Sequence, residues 1–180
     1  MKWFKPKVGQ FILKVLGIYI CWYLIYEFWL LPKGSLDAWL TTNIVSISTG
    51  ILEMFDYEVY ASGRFFGIGE SPGIFLADGS SGITALGLFV GFVIAYPGKW
   101  IPRIAFIIIG IGVIYLVNIF RSVLLAIAQV SWPGFFDFMH NYFTTATFYL
   151  VILVLAIVWI NIGGEEKKAA DETELFPTEV

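Results

Sequence analysis

The chain has 180 residues, of which 58% are hydrophobic and 14% are charged, and its mean hydropathy is +0.80. Soluble domains carry about 25% charged residues, so this composition excludes an ordinary soluble domain and predicts an integral membrane protein. The net charge is -3, and there is no basic stripe with interleaved aromatic residues, so no nucleic-acid partner is predicted. One cysteine and one histidine are too few for an internal disulfide or a Cys/His metal cluster, and neither a metal nor a cofactor is predicted.

Four segments are predicted to cross the membrane, since a spanning helix needs about 20 apolar residues. They are residues 11–31, 81–96, 104–128 and 142–162, taken as approximate bounds. The second is short and stops at Pro97-Gly98, so a tilt or an upstream extension is expected. The predicted fold is an all-α integral membrane protein, a bundle of four transmembrane helices in a single membrane domain, residues 1–164. Residues 165–180 are acidic and polar and are predicted to be a disordered cytoplasmic tail.

The segment between the first two spans, residues 32–80, is predicted to contain structure of its own. Residues 36–55 predict an amphipathic helix that lies on the membrane surface or on the bundle. Its apolar positions are Leu36, Trp39, Leu40, Ile44, Ile47, Ile51 and Leu52, and the polar residues between them are Asp37, Thr42, Asn43 and Ser46. Residues 57–76 alternate loosely and are interrupted by glycines, which indicates a short hairpin leading into the second span.

Lysine and arginine in short flanking segments predict the orientation of the spans. Lys2, Lys5 and Lys7 precede the first span, Lys99 and Arg103 flank the turn between the second and third, and Lys167 and Lys168 follow the fourth. The long segment 32–80 holds only Lys33 and Arg64, and the connection between the third and fourth spans holds no lysine or arginine. Both termini and the turn 97–103 are therefore predicted to be cytoplasmic. The long connections, including residues 32–80, are predicted to lie outside.

This topology brings three polar residues to one level near the outer interface. Ser80 precedes the second span, and His140 precedes the fourth. Arg121 follows Arg103 by 18 residues (121 − 103), which is roughly 27 Å of helix and nearly a full membrane crossing. A hydroxyl, a permanent cation and an imidazole at one water-facing level form the set of groups that acyl transfer requires.

Each of these residues also has a structural interpretation. Arg121 could extend to outer headgroups, although Asn118 lies on the same helix face and favours an inward-facing polar site. His140 could be an interfacial or capping residue, and Ser80 could be a helix N-cap. A nucleophile at a helix N-terminus would use the same geometry, because free backbone N–H groups there can bind an oxyanion.

The motifs around these residues resemble the exosortase/archaeosortase family, in particular its short four-span bacterial members. The nucleophile segment of that family reads like Asp-Gly-Cys-Asn-Gly, and here it reads Asp78-Gly79-Ser80-Ser81-Gly82. The family's arginine follows an asparagine by three residues, as Arg121 follows Asn118. Its histidine opens the last span, as His140-Asn141 does, and the turn 95–99 is also similar. The resemblance covers about residues 57–161.

The resemblance implies a sorting transpeptidase or protease of the bacterial inner membrane, with its active site on the outer, periplasmic face. Such an enzyme cleaves the C-terminal sorting signal of a membrane-anchored secreted protein and passes the acyl group to an acceptor, a glycan or a lipid. The implied catalytic triad is Ser80 at the nucleophile position, Arg121 for anion stabilisation and His140 for acid/base catalysis. Asp78, Gly79, Ser81, Gly82, Asn118 and Asn141 would support it.

Position 80 departs from the family pattern, because the family nucleophile is cysteine. A serine hydroxyl is far less ionised than a thiol at neutral pH and needs a strong general base. The chain is therefore expected to be a Cys→Ser inactive form, or else a natural serine variant or a degenerate member. A deliberate substitution is favoured, because it changes a single atom and leaves the other motif positions intact.

Two other classes of protein fit parts of the pattern. Gly79-Ser80-Ser81-Gly82 also matches the Gly-x-Ser-Gly of rhomboid intramembrane serine proteases, which would make Ser81 the nucleophile. Rhomboids use six or more spans and a histidine within a late span, unlike the pattern here. A non-catalytic membrane assembly subunit with capped helices is the other alternative. Trapping chemistry after Ser80→Cys would separate the first interpretation from these two.

Overall fold

A computed structural model of the protein describes the backbone of residues 6–175 and the side-chain surroundings of residues 9–162 apart from positions 144 and 145. The fold is mostly helical. Its helices are α1 (Pro6–Ile25), π1 (Tyr26–Leu30), α2 (Leu31–Lys33), α3 (Ser35–Met54), α4 (Ile83–Ala95), α5 (Trp100–Ser131), α6 (Pro133–Phe138), π2 (Met139–Phe143) and α7 (Thr144–Leu175). Its strands are β1 (Val59–Ser62), β2 (Phe65–Ile68) and β3 (Ile74–Phe75).

Within the described residues, three helical segments are long and apolar enough to cross a membrane. They are Gly9–Lys33, Trp100–Ser131 and Pro133–Ile162. Helix α4 has only 13 residues. We expected either a tilt or an upstream extension, and the extension does not form, because Gly79 and Gly82 turn the chain with φ angles of +84° and +82° directly before this helix. The chain is therefore a mostly helical membrane protein with several apolar helices, and the fourth span stays a prediction.

Helix α3 forms where the sequence predicted the outer helix, but it buries a different face. Asp37, Thr41 and Ser48 are buried, whereas Trp39 is 63% exposed. Asp37, which the sequence analysis named among the polar residues between the apolar positions of this helix, therefore lies on its buried face. The physical reason is that α3 packs along α5 and next to the turn before α4. There Ser48 donates to the Ile119 carbonyl of α5, and Asp37 accepts from the Ser81 hydroxyl of the turn. The buried face of α3 thus mixes polar and apolar residues.

Strands β1 and β2 form the predicted hairpin, with Ser62 paired to Phe65 across a two-residue turn. The two-residue strand β3 was not predicted; it pairs antiparallel with β2 and gives a three-stranded sheet of order β1-β2-β3. Gln129 of α5 fixes the chain before β3, because its side chain accepts from the Gly73 nitrogen and donates to the Gly73 oxygen, each at 3.1 Å. The sheet is therefore anchored to α5 just before the chain reaches residues 77–82.

Two hydrophobic clusters meet along α5. One joins α3, the sheet and α5 through residues such as Leu52, Phe66 and Ile119. The other joins α4, α5 and α7 through residues such as Phe89, Ile114 and Trp159. On α5, Asn118 falls between Ile114 of one cluster and Ile119 of the other. Its side chain is consequently held at a fixed position between two packed regions.

Helix α7 continues to Leu175, so the backbone of residues 165–175 is helical where we predicted a disordered tail. Residues 176–180, the rest of that predicted tail, lie outside the described residues. The cytoplasmic location of the tail stays a prediction.

The orientation predicted from the basic residues can be tested by cysteine accessibility. In a Cys21→Ala background, Lys99→Cys is expected to resist a membrane-impermeant maleimide in intact cells, because the turn 97–103 is predicted to be cytoplasmic. The matched control is Glu70→Cys, at an exposed position between β2 and β3, which is expected to react. Both should react after permeabilisation. Labelling of Lys99→Cys in intact cells at the rate of Glu70→Cys would overturn the orientation.

Candidate active site

The chain between β3 and α4 forms a tight turn that carries Ser80. The backbone nitrogen and the hydroxyl of Ser80 both donate to the Ala77 carbonyl, at 3.1 and 2.5 Å. Gly82 occupies the N-cap position of α4, so Ser80 is not the N-cap of this helix. Gly79 and Gly82 both have positive φ, a conformation that side chains with a Cβ rarely adopt. These two glycines therefore shape the turn that presents Ser80.

Two side chains of α5 bind the backbone of this turn. Asn118 Nδ2 donates to the Ser80 carbonyl oxygen at 3.1 Å, and Arg121 Nη1 lies 3.4 Å from the same oxygen. Arg121 Nη1 also donates to Asn118 Oδ1 at 3.2 Å. Asn118 and Arg121 therefore share a helix face, as their spacing of three predicted. Arg121 points toward the turn and does not extend to an outer surface.

His140 and Asn141 lie in π2, the π-helical segment between α6 and α7. The imidazole stacks on Phe136 with ring centroids 5.8 Å apart, and its Nδ1 lies 3.4 Å from Asn141 Oδ1. Single π-helical turns inside α-helices often occur at functional sites, because the extra residue redirects the side chains. Here the π turn presents both polar side chains at one end of α7.

One cavity of about 470 Å³ brings the three predicted residues together. Ser80 comes from the turn, Arg121 from α5 and His140 from π2. The cavity is lined by Tyr19, Gly79, Ser80, Gly82, Thr84, Ala85, Leu88, Arg121, His140, Asn141, Phe148, Tyr149 and Ile152. The Arg121 guanidinium also lies over the Phe148 ring, 5.7 Å from its centroid. A hydroxyl, a cation and an imidazole thus face one space of a size suited to a peptide segment.

Of the other predicted residues, Gly79, Gly82 and Asn141 also line the cavity, whereas Asp78, Ser81 and Asn118 do not. Asp78 forms an ion pair with Arg64 at 2.7 Å and so ties the turn to the β1–β2 hairpin. Ser81 is only 4% exposed, and its hydroxyl donates to a carboxylate oxygen of Asp37 at 2.5 Å. The alternative in which Ser81 is the nucleophile therefore requires a hydroxyl that is buried and already bonded. The Ser80 hydroxyl is also bonded, to the Ala77 carbonyl, but Ser80 lines the cavity and Ser81 does not.

Asp37 is the main residue of this region that the sequence interpretation missed. It lies in the first turn of α3 and is 1% exposed. Besides Ser81, it accepts from the Gly79 nitrogen and from the Tyr26 hydroxyl, each at 3.2 Å. A signal was present in the spacing, since Asp37, Thr41 and Ser48 are separated by four and seven residues and so share one helix face.

A second, apolar cavity of about 390 Å³ continues from the first along α1, α4 and α7. Tyr19, Leu88, Tyr149 and Ile152 line both cavities. The other residues of this apolar groove are Val15, Gly87, Gly91, Phe92, Leu153 and Ala156. The cavity lined by Ser80, Arg121 and His140 therefore lies next to an apolar groove between α1, α4 and α7.

These features define a membrane protein whose candidate site is lined by polar side chains from three elements: the turn before α4, helix α5 and π2. Within the described residues, no group of three or more His, Cys, Asp or Glu side chains is placed to hold a metal ion. The model of the transmembrane exosortase family (Exosortase_EpsH) matches residues 7–158, which include every predicted site residue. The chain belongs to the transmembrane exosortase family, as the sequence motifs indicated. No curated protein and no solved structure matches it.

Proposed function

We propose that the protein is a protein-sorting transpeptidase of the bacterial inner membrane that works on membrane-anchored substrates with a C-terminal sorting signal. It would transfer the acyl group of the cleaved substrate to a glycan or lipid acceptor. The observation that carries the proposal is the cavity that Ser80, Arg121 and His140 line from three separate elements. Serine at the nucleophile position makes this chain an inactive or weakly active form.

The reaction assigns a role to each residue of the cavity. With cysteine at position 80, the thiolate sulfur attacks the scissile carbonyl carbon, and the carbon–nitrogen bond breaks to leave a thioester. His140 donates the proton that the departing amine requires. An acceptor hydroxyl or amine then attacks the thioester and loses its proton to the same imidazole, and the carbon–sulfur bond breaks to release the thiolate. No cofactor enters this sequence.

Arg121 is placed to stabilise negative charge during both steps. Its Nη1 contacts the Ser80 carbonyl, and its Nε is buried without a hydrogen-bond partner among the described residues. A buried donor without a partner is costly and is ready to bind an anionic group. In the proposed reaction this group is the thiolate or the oxyanion of the tetrahedral intermediate.

The apolar groove supports a substrate that is anchored in the lipid bilayer. It joins the polar cavity through shared lining residues and runs between α1 and α7. A transmembrane helix that enters this groove would bring the residues just outside its end to Ser80. We place this site on the periplasmic face and both termini in the cytoplasm, on the basis of the basic residues near the span ends.

The acid/base role of His140 tests the function. In the Ser80→Cys protein, His140→Ala is expected to lower cleavage of a membrane-anchored substrate by about 100-fold or more, because no other imidazole exists in the chain to protonate the leaving amine. The readout is release of the C-terminal signal fragment in proteoliposomes. Phe138→Ala is the matched control, since Phe138 is exposed two positions earlier and should retain the rate. Full cleavage after His140→Ala would contradict the proposed mechanism.

A further inference from the structure

The carboxylate of Asp37 is the centre of a buried hydrogen-bond network behind the candidate site. Its Oδ1 accepts from the Ser81 hydroxyl and the Gly79 nitrogen, and its Oδ2 accepts from the Tyr26 hydroxyl. Thr41 donates to the Asp37 backbone carbonyl at 2.6 Å. An ionised carboxylate only accepts hydrogen bonds, and all three groups on its oxygens are donors. The two carboxylate oxygens of Asp37 therefore have three hydrogen-bond donors between them.

A carboxylate that is 1% exposed is costly unless hydrogen bonds replace its lost water. Here the three donors are neutral, so their number and geometry must compensate for the burial. The position of Asp37 in the first turn of α3 also helps, because the N-terminal end of a helix favours negative charge. Such an arrangement binds the donors tightly, and two of the donors belong to the turn that carries Ser80.

The turn is held from two opposite elements. Asp37 of α3 binds residues 79 and 81, while Asn118 and Arg121 of α5 bind the carbonyl of residue 80. Each of the three consecutive residues therefore has a hydrogen bond to a side chain of another element. Tyr26 extends the network to π1, the segment in which the first long helix departs from α-helical geometry.

We propose that Asp37 is the positioning residue of the transpeptidase, which holds the turn so that the side chain of residue 80 faces Arg121 and His140. This inference rests on the proposed function. Asp37 does not line the cavity and would not touch the substrate, so it acts through the turn. Misplacement of a reacting group by about 1 Å can cost 100-fold in rate, so the loss of such an anchor should reduce turnover strongly.

The first test compares variants in the Ser80→Cys protein. Asp37→Ala is expected to lower kcat about 100-fold, with KM changed less than about threefold, because substrate contacts remain while the nucleophile is displaced. Asp37→Asn should recover part of the rate, since its amide oxygen can still accept from Ser81 and Gly79. Glu53→Ala removes an exposed carboxylate from the same helix and is the matched control. Equal losses in Asp37→Ala and Glu53→Ala would overturn the proposal.

A double-mutant cycle isolates the contact itself. Ser81→Ala should lower kcat by a smaller factor than Asp37→Ala, because it removes only one of the two hydrogen bonds to the turn. After Asp37→Ala, the further change Ser81→Ala should cost less than twofold. Independent, multiplicative losses would mean that the two residues do not act through their shared hydrogen bond.

A second readout needs no substrate and separates this proposal from the proposed function. In the Ser80 protein, hydrogen exchange of the amides of residues 78–82 should rise in Asp37→Ala and less in Asp37→Asn, with α5 unchanged. Unchanged exchange in residues 78–82 would overturn the positioning role, whatever the enzymatic result. Increased local exchange, together with no cleavage by the Ser80→Cys protein, would support the positioning role and contradict the transpeptidase. Asp37→Asn keeps the size of the side chain and supplies the comparison if Asp37→Ala fails to fold.

Discussion

Replacing Ser80 by cysteine is expected to create or restore cleavage of a membrane-anchored substrate, with a rate at least about 100-fold above that of the Ser80 protein. A thiol beside the Arg121 guanidinium is expected to have a lowered pKa, because the cation favours the thiolate. A serine hydroxyl gains too little from the same cation to ionise. The measurement is release of the C-terminal signal fragment and transfer of the remaining acyl group in proteoliposomes containing either form.

The neighbouring serine provides a matched control for this prediction. Ser81→Cys introduces the same thiol one residue away, but at a buried position bonded to Asp37, and it should produce no cleavage. Robust cleavage by the Ser80 protein that Ser80→Cys does not improve would refute the nucleophile assignment. If Ser81→Ala abolished that cleavage, the rhomboid-like alternative would be favoured.

Loss of Arg121 is expected to have the second large effect. In the Ser80→Cys protein, Arg121→Ala should lower cleavage by about 100- to 1,000-fold, the usual cost of removing an oxyanion-stabilising donor. Arg121→Lys should recover only part of the rate, because an ammonium keeps the charge but not the planar set of donors.

Alkylation of the thiol at position 80 separates the charge of Arg121 from its contact with the turn. The cation is expected to lower the thiol pKa, so that reactivity extends to lower pH while Arg121 is present. After Arg121→Ala the midpoint of the alkylation rate should move upward, toward the ordinary thiol value of about 8.5. Asn118→Ala removes a neutral donor to the same carbonyl and should leave the midpoint nearly unchanged. Identical midpoints in the parent and Arg121→Ala would contradict an electrostatic role.

The sequence was most informative where its signals were local. A spacing of three residues predicted that Asn118 and Arg121 share a helix face, and the structure places both on the Ser80 carbonyl. The lengths of the apolar segments predicted a mostly helical membrane protein. The order of the motifs around Ser80, Arg121 and His140 along the chain indicated the family. The grouping of Ser80, Arg121 and His140 around one cavity agrees with the expected convergence, while their catalytic roles stay predictions.

Features that depend on distant contacts could not be predicted in this way. The burial of Asp37 was not predicted, because Gly79 and Ser81, which donate to its carboxylate, lie more than 40 residues later in the chain. Strand β3 has only two residues and exists through its pairing with β2. The π-helical segments π1 and π2 contain no glycine or proline, so the sequence carries no local signal for their change in backbone geometry.

The shortness of α4 has a consequence for the depth at which the proposed enzyme would act. Its 13 residues extend about 20 Å, whereas the hydrocarbon layer is roughly 30 Å thick. In the proposed four-span arrangement, with the cytoplasmic end of α4 at its interface, the turn bearing Ser80 lies about 10 Å below the outer edge of the hydrocarbon, or the bilayer thins around it. The enzyme would then select the peptide bond that it cleaves by the distance of that bond from the end of the substrate's membrane anchor.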